Sequence, residues 1–239
     1  MTVSATVARY AMTIRISCDG WATHNIWQHS AAVLQLYLRR VRDEVEEMTC
    51  AAQAAELLAD IARPGEALLD AGCGTGYFYH SLRRRGLALD YCGIDATTEF
   101  IEVGRRELDA FDLLPERLSN LRIEDFEGRA DHVLCMNVLS NLDNFHRPLE
   151  RLLKAAAKSL VLRESIKDGA SYRYVRDEFL DPGIDLKVHV NAYDRAEIIG
   201  FIEGYGFSVC EVTDRHSGGR PEMVIGYPHH WTFLVATRR

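Results

Sequence analysis

Three glycines at alternate positions follow a short apolar run and form the pattern in this sequence from which chemistry can be inferred. Residues 67–76 read ALLDAGCGTG, in which Asp70 precedes Gly72, Gly74 and Gly76. Glycine has no Cβ atom, so a turn of this composition lets the backbone bend sharply and approach a ligand closely. We therefore predict a ligand-binding turn between a strand and a helix.

Two acids indicate the kind of ligand. The dinucleotide pattern G-x-G-x-x-G places a pyrophosphate at a helix N-terminus, but here Tyr77 stands where that pattern has its third glycine. The Asp70 carboxylate complements the ammonium group of an amino acid better than it complements a phosphate. A second acid, Asp95, ends the next apolar run, roughly 20 residues after Gly76. A carboxylate at this spacing can accept hydrogen bonds from ribose hydroxyls. The two acids predict a ligand with an amino-acid end and an adenosine.

Apolar runs and amphipathic helices alternate from Glu66 onward, and this alternation positions both acids at one edge of a sheet. It is typical of repeated βα units with a parallel sheet, whose ligands bind at the carboxyl ends of the strands. The predicted strands are 67–70, 91–95, 121–124, 132–136, 160–163, 207–213 and 231–237. The predicted helices are 33–48, 51–61, 77–85, 98–110, 144–158 and 194–205. The stretches 171–191 and 214–230 show no clear period.

The segment DAGCGTG at 70–76, followed by GID at 93–95, resembles the Rossmann-like (class I) S-adenosylmethionine-dependent methyltransferases. The resemblance extends over about residues 50–165. It implies an α/β fold with a doubly wound, mostly parallel seven-stranded sheet, helices on both faces, a helical N-terminal extension and an antiparallel C-terminal strand. It also implies an enzyme that uses S-adenosyl-L-methionine and releases S-adenosyl-L-homocysteine.

The resemblance assigns roles to individual residues. By this likeness the cofactor-binding residues are Asp70, Gly72, Cys73, Gly74, Gly76, Asp95, Ala96, Asp125, Phe126 and Asn137. The glycine turn lines the methionine and sulfonium side, Asp95 binds the ribose, and Asp125 with Phe126 flanks the adenine. Asn137 lies near the transferred methyl group. The glycine-acid step that usually precedes the adenine-binding acid is absent, so Glu124 remains an alternative to Asp125.

Residues for the methyl acceptor are predicted in the irregular segments beside the presumed pocket. The predicted catalytic bases are His29 and His189, because a histidine can accept a proton near pH 7. The alternative is that both only form hydrogen bonds within loops. Predicted substrate contacts are Trp27, Tyr174 and Tyr193, which serve equally well as cover for the sheet.

No metal site is predicted. The adjacent pair His229 and His230 is a poor candidate, because neighbouring side chains rarely point at one ion. The six cysteines lack the spacing of a zinc or redox motif. Reduced, buried thiols are the better interpretation.

Composition limits the partners. The chain has 239 residues and a formal net charge of -7, which disfavours a nucleic-acid substrate. No apolar run is long enough to cross a bilayer, and a cytoplasmic location is the default expectation. We expect one domain, with an N-terminal lid and helices at 1–62, a cofactor-binding core at 63–165 and substrate-side insertions at 166–239.

The acceptor class follows from the same features. The acidic charge and the absence of an appended recognition domain favour a small-molecule acceptor, methylated on oxygen, nitrogen or carbon. A protein or peptide acceptor and a catalytically silent, cofactor-binding partner subunit are the alternatives. The oligomeric state is open, with a homodimer among the possibilities.

Overall fold

The computed structural model of the protein describes Trp27 and residues 30–176 and 187–239. Its helices are α1 (Ala31–Val41), α2 (Thr49–Ile61), α3 (Phe78–Arg84), α4 (Thr98–Leu108), α5 (His146–Ala155) and α6 (Arg195–Gly204). The first strands are β1 (Ala67–Ala71), β2 (Asp90–Asp95), β3 (Leu118–Asn120), β4 (Ala130–Met136), β5 (Ala156–Lys167) and β6 (Tyr174–Arg176). The remaining strands are β7 (Lys187–His189), β8 (Tyr193–Asp194), β9 (Phe207–Thr213), β10 (Glu222–Val224), β11 (Tyr227–His229) and β12 (Trp231–Arg238).

The central sheet has the strand order β3-β2-β1-β4-β5-β12-β9, and β8 adds to the end of β5. Strands β1 to β5 pair in parallel, whereas β12 runs antiparallel to both β5 and β9. Parallel neighbours require crossover connections, and helices supply them here. The predicted mostly parallel seven-stranded sheet with an antiparallel C-terminal strand is confirmed.

Both faces of the sheet are buried, which explains why its strands read as continuous apolar runs. Leu68 packs on one face with Leu58 of α2 and Leu82 of α3. Its neighbour Leu69 packs on the other face with Leu149 of α5. The helices therefore cover the faces, and the loops at the carboxyl ends of the strands are left to form a site. No helix in the described part of the chain is long and apolar enough to span a membrane.

The prediction of a strand at 121–124 is wrong. Strand β3 lies three residues earlier, and 123–125 form a turn of 3-10 helix. The register is set by packing, because Leu118 lies opposite Gly93, where the absent side chain leaves it room. Helix α1 also ends earlier than predicted, and Asp43 just beyond it has a φ of 60°.

Two stretches predicted as irregular form antiparallel strand pairs, β6 with β7 and β10 with β11. They meet in an apolar cluster that we call the roof: Trp27, Val175, Val188, Val190, Ile225 and Tyr227. Asn191 fixes the roof to the loop after β4 through two hydrogen bonds. Its backbone N–H donates to the Ser140 carbonyl, and its side-chain Nδ2 donates to the Leu142 carbonyl. The roof thus lies above the carboxyl edge of the sheet.

A buried ion pair joins β5 to the loop after β9. The Nε atom of Arg163 donates to Oδ1 of Asp214 at 2.8 Å, and both side chains are almost fully buried. The guanidinium also lies 4.5 Å from the ring centroid of Trp231. Burial raises the pKa of Asp214, but the hydrogen bonds from Arg163 and Ser217 together with the charge of Arg163 outweigh it and hold that pKa below its usual value.

We expect Arg163→Met to lower the free energy of unfolding by about 3–5 kcal/mol, because it leaves the Asp214 carboxylate buried without its cation. The double variant Arg163→Met/Asp214→Leu should recover a large part of this loss, since it removes both charges. Urea denaturation of the two single variants and the double variant measures the coupling. Additive losses would show that the two side chains do not stabilise each other.

Candidate functional site

The turn after β1 has the left-handed backbone that its glycines permit. Gly72, Gly74 and Gly76 have φ values of 77°, 58° and 76°, a region that other residues enter at a cost. The backbone N–H groups of Gly72 and Cys73 donate to the Ile94 carbonyl at 2.8 and 3.0 Å. The turn is therefore fixed to the carboxyl end of β2.

Close neighbours surround this turn. A Cβ atom added at Gly72 would lie 2.2 Å from Cγ2 of Val138, so the loop after β4 packs directly on the turn. A Cβ atom at Gly74 would lie 2.5 Å from the ring of Tyr37 in α1. That ring also stacks on Phe100 with 4.7 Å between centroids. Helix α1 therefore covers the turn.

The Asp95 carboxylate lies beside the same turn. Its Oδ2 accepts the Gly74 N–H at 2.9 Å, and its Oδ1 accepts the Thr97 N–H at 2.8 Å. Burial raises the pKa of Asp95, and the two backbone hydrogen bonds oppose this rise. The Thr97 side chain also hydrogen-bonds Asp95, and a carboxylate has about four acceptor positions. Asp95 can therefore accept a further hydrogen bond, such as one from a ribose hydroxyl, while it holds the turn.

Asp70 is 4% exposed and lies beneath the turn. Its Oδ2 accepts the Tyr91 hydroxyl at 2.8 Å. Burial raises the pKa of Asp70 to about 7, so a nearby ammonium group would stabilise its ionised form. Burial also raises the pKa of the Cys73 thiol well above its usual value, which makes that residue a packing group and not a nucleophile.

The structure does not bring Asp125 and Phe126 to the turn. Asp125 is exposed, and Phe126 lines a cavity with Arg129 and Arg238 at the opposite edge of the sheet, where β4 and β5 begin. The alternative acid Glu124 pairs with Arg122 at 3.5 Å. The sequence interpretation failed here because it followed from the misplaced third strand.

Asn120 and Leu121 occupy the position predicted for the adenine-flanking pair. Asn120 ends β3 opposite Asp95. Its Nδ2 donates to the Asp95 carbonyl at 3.0 Å, and the Leu121 N–H donates to the same oxygen at 2.9 Å. Correct placement of β3 would have identified them.

Asn137 directly follows β4 and has a φ of 60°. Its backbone N–H donates to the Arg163 carbonyl at 2.8 Å, and its side-chain Oδ1 accepts from Nη1 of Arg163. A guanidinium only donates, so this contact assigns the amide oxygen to Arg163 and leaves the NH2 group available on the other side. Asn137 thus offers a hydrogen-bond donor next to Val138, which touches the glycine turn.

Glu164 shapes the loop that carries Asn137 and was missed in the sequence. Its fully buried carboxylate accepts the N–H groups of Val138, Leu139 and Ser140 at 2.8, 2.9 and 2.9 Å, together with the Ser140 hydroxyl. Burial raises the pKa of Glu164, and these hydrogen bonds oppose that rise. The sequence does contain a signal for this role, because Glu164 is an acid within the apolar run of β5.

The residues predicted for the acceptor lie in different environments. His29 lies outside the described residues. His189 of β7 stacks on Tyr174 with 4.5 Å between centroids, and burial lowers its pKa. Tyr174 is half exposed, so this pair lies at the outer side of the roof. Trp27 belongs to the roof itself.

Tyr193 has no exposed surface, and its hydroxyl donates to the Leu139 carbonyl. Its ring packs edge-on against Phe145. It therefore supports the loop after β4 and does not present its hydroxyl to an acceptor. Within residues 30–176 and 187–239, no three His, Cys, Asp or Glu side chains are grouped as a metal site would require.

Comparisons with known proteins agree with this geometry. Residues 69–161 match the family model described as "Methyltransferase domain". An 83-residue segment is 31% identical to the mitochondrial ubiquinone biosynthesis O-methyltransferase of Saccharomyces cerevisiae, covering 34% of this chain and 27% of that protein. The chain thus matches about a quarter of the length of this curated relative.

Solved structures share the fold over most of the chain. Magnesium protoporphyrin IX methyltransferase from Synechocystis PCC 6803 with bound S-adenosylmethionine has a TM-score of 0.61 and 17% identity, covering 92% of this chain and 97% of that chain. An S-adenosylmethionine-dependent methyltransferase from Clostridium acetobutylicum has a TM-score of 0.59 and 12% identity, covering 85% and 96%.

Asp70 should make folding stability depend on pH. Its pKa is raised in the folded state to about 7, so the fold favours the protonated carboxyl, and this contribution is lost as the pH rises from about 4 through 7. We expect Asp70→Asn to gain stability relative to wild type over that interval, by up to about 4 kcal/mol. Urea denaturation of both proteins at several pH values gives the difference, and a difference independent of pH would contradict the assignment.

Proposed function

We propose that this chain is an S-adenosylmethionine-dependent methyltransferase that transfers a methyl group to an oxygen, nitrogen or carbon atom of a small-molecule metabolite. The match of residues 69–161 to the family model described as "Methyltransferase domain" supports the proposal. The observation that carries the proposal is the hydrogen bond of 2.9 Å from the Gly74 N–H to Asp95. It joins the ligand-binding turn to a carboxylate that can still accept a ribose hydroxyl.

The residues around the turn fit S-adenosyl-L-methionine. Asp95 accepts a ribose hydroxyl, and Asn120 and Leu121 lie on the adenine side. The turn from Gly72 to Gly76 and the Asp70 carboxylate receive the amino-acid end. When bound, the sulfonium supplies a methyl group on a good leaving group.

The protein's own contribution is alignment and exclusion of water. Tyr37 covers Gly74. The guanidinium carbon of Arg40, also in α1, lies 5.3 Å from the centroid of the Tyr37 ring. The Asn137 NH2 group gives a fixed donor at the end of β4. The roof lies above the carboxyl edge, where it would cover an acceptor bound at the ends of the strands.

A covered site supports a small acceptor over a protein one. The Saccharomyces relative is named for ubiquinone biosynthesis and the Synechocystis protein for magnesium protoporphyrin IX, and both names refer to small molecules. The net charge of -7 supports the same class, because it repels polyanions. A catalytic role for His29 or His189 stays a prediction.

The proposal is tested by calorimetry with S-adenosyl-L-homocysteine and by transfer of labelled methyl groups into a metabolite extract. We expect saturable binding and labelled small molecules that are absent when the protein is omitted. Label found only in protein or peptide would favour the other acceptor class. Binding without transfer to any fraction would indicate a silent partner subunit.

We expect Asp95→Ala to raise the dissociation constant of S-adenosyl-L-homocysteine at least about tenfold, since hydrogen bonds to a charged group contribute roughly 1.5–3 kcal/mol. Asp90→Ala is the matched control, because Asp90 is an exposed acid at the other end of β2. The melting temperature of each variant reports on the fold. Equal affinity for wild type and a folded Asp95→Ala variant would remove Asp95 from the site.

A further inference from the structure

His229 is a buried polar side chain for which the described residues provide no hydrogen-bond partner. It is 2% exposed, and within the described part of the chain neither Nδ1 nor Nε2 has a partner. Its ring stacks on Trp231 with 4.6 Å between centroids and 16° between planes. A buried imidazole in this state loses its hydrogen bonds to water without replacement. Such a group requires a reason other than stability.

The position of His229 places it at the acceptor side of the site. It ends β11, whose hairpin contributes Ile225 and Tyr227 to the roof. Trp231 begins β12 and pairs with Ser165 at the carboxyl end of β5. His229 therefore lies between the roof and the carboxyl edge of the sheet.

A row of contacts links His229 to the end of β4. Its ring stacks on Trp231, and the Arg163 guanidinium lies 4.5 Å from the Trp231 centroid. Arg163 in turn donates to Oδ1 of Asn137. The unpartnered imidazole is thus connected, through two packed side chains, to the residue predicted to lie near the transferred methyl group.

The charges around His229 limit what it can bind. Burial lowers the pKa of His229 to about 4, Arg163 and His230 add to this lowering, and Glu222 opposes it. At neutral pH the ring is therefore uncharged and offers one donor and one acceptor. The carboxylate of Glu222 is already hydrogen-bonded to His216 at 3.1 Å. A protonated amine would bring a further positive charge into a buried site that already disfavours a protonated imidazole.

We propose that His229 hydrogen-bonds the polar group of the methyl acceptor, and that this group is an uncharged hydroxyl on an otherwise apolar molecule. A hydroxyl can donate to one imidazole nitrogen or accept from the other, and it carries no charge. The apolar body lies against the roof residues Val188, Val190, Ile225 and Tyr227. This inference rests on the proposed function. Of the three atoms that the proposed function allows, it selects oxygen as the one that is methylated.

The experiment uses full-length protein saturated with S-adenosyl-L-homocysteine and three probes that share one ring and differ in one terminal group. Benzyl alcohol carries a hydroxyl, ethylbenzene a methyl group and benzylamine an ammonium. Isotope-labelled histidine allows the His229 ring signal to be assigned by its loss in His229→Phe. We expect benzyl alcohol to shift that signal and to bind about tenfold more tightly than ethylbenzene, with benzylamine the weakest.

Two variants separate a ligand contact from a structural role. In His229→Phe, benzyl alcohol and ethylbenzene should bind equally, and the melting temperature should stay the same or rise, because an apolar ring replaces an unpartnered polar one. His146→Phe is the matched control, since His146 is a half-exposed histidine on α5, and it should keep the preference for the alcohol.

Several results would overturn the inference. These are equal binding of alcohol and ethylbenzene to wild type, no binding of any probe, tightest binding of benzylamine, or an unchanged preference in His229→Phe. A large drop in the melting temperature of His229→Phe would also count against it, because it would reveal a structural partner. Failure of S-adenosyl-L-homocysteine to bind wild type would instead refute the proposed function, so the two failures are distinguishable.

Discussion

The hydrogen bond from the Gly74 amide to the Asp95 carboxylate is the constraint on which the cofactor side of the structure depends. A parallel sheet ends in loops whose backbone N–H groups need acceptors. Asp95 supplies two of them, for Gly74 in the turn and Thr97 at the start of α4. Its carbonyl accepts from Asn120 and Leu121. One residue thus fixes the glycine turn, the next helix and the end of β3.

A buried carboxylate also accepts loop N–H groups on β5, three strands away from β2. Arg163 and Glu164 are adjacent on β5, so their side chains leave on opposite faces of the sheet. Glu164 accepts three backbone N–H groups of the loop after β4, while Arg163 binds Asp214 and the side chain of Asn137. Buried charges are costly unless they are paired. Their presence therefore specifies one arrangement of the loop that carries Asn137.

Local patterns made the cofactor side predictable. The left-handed glycines and Asp95 are encoded within short segments, and the alternation of apolar runs and helices gave the sheet. Strand β3 was misplaced because its register depends on Leu118 packing at Gly93, a contact between distant residues. Because the third strand was predicted three residues too late, the adenine contact was predicted at Asp125 and not at the end of β3. The roof was missed for a similar reason, because its strand pairs are held by cross-strand contacts and not by a periodic pattern.

The cofactor side and the acceptor side of the site differ in whether their buried polar groups have hydrogen-bond partners. Around the turn, the carboxylates of Asp95 and Asp70 have hydrogen-bond partners within the protein. On the other side, His229 is buried without a hydrogen-bond partner among the described residues, and the roof above it is held mainly by apolar contacts. Such contacts tolerate changes of shape better than a hydrogen-bonded turn does. A fold built this way can alter its acceptor through the roof while the cofactor turn is kept, which is how one architecture supports many substrates.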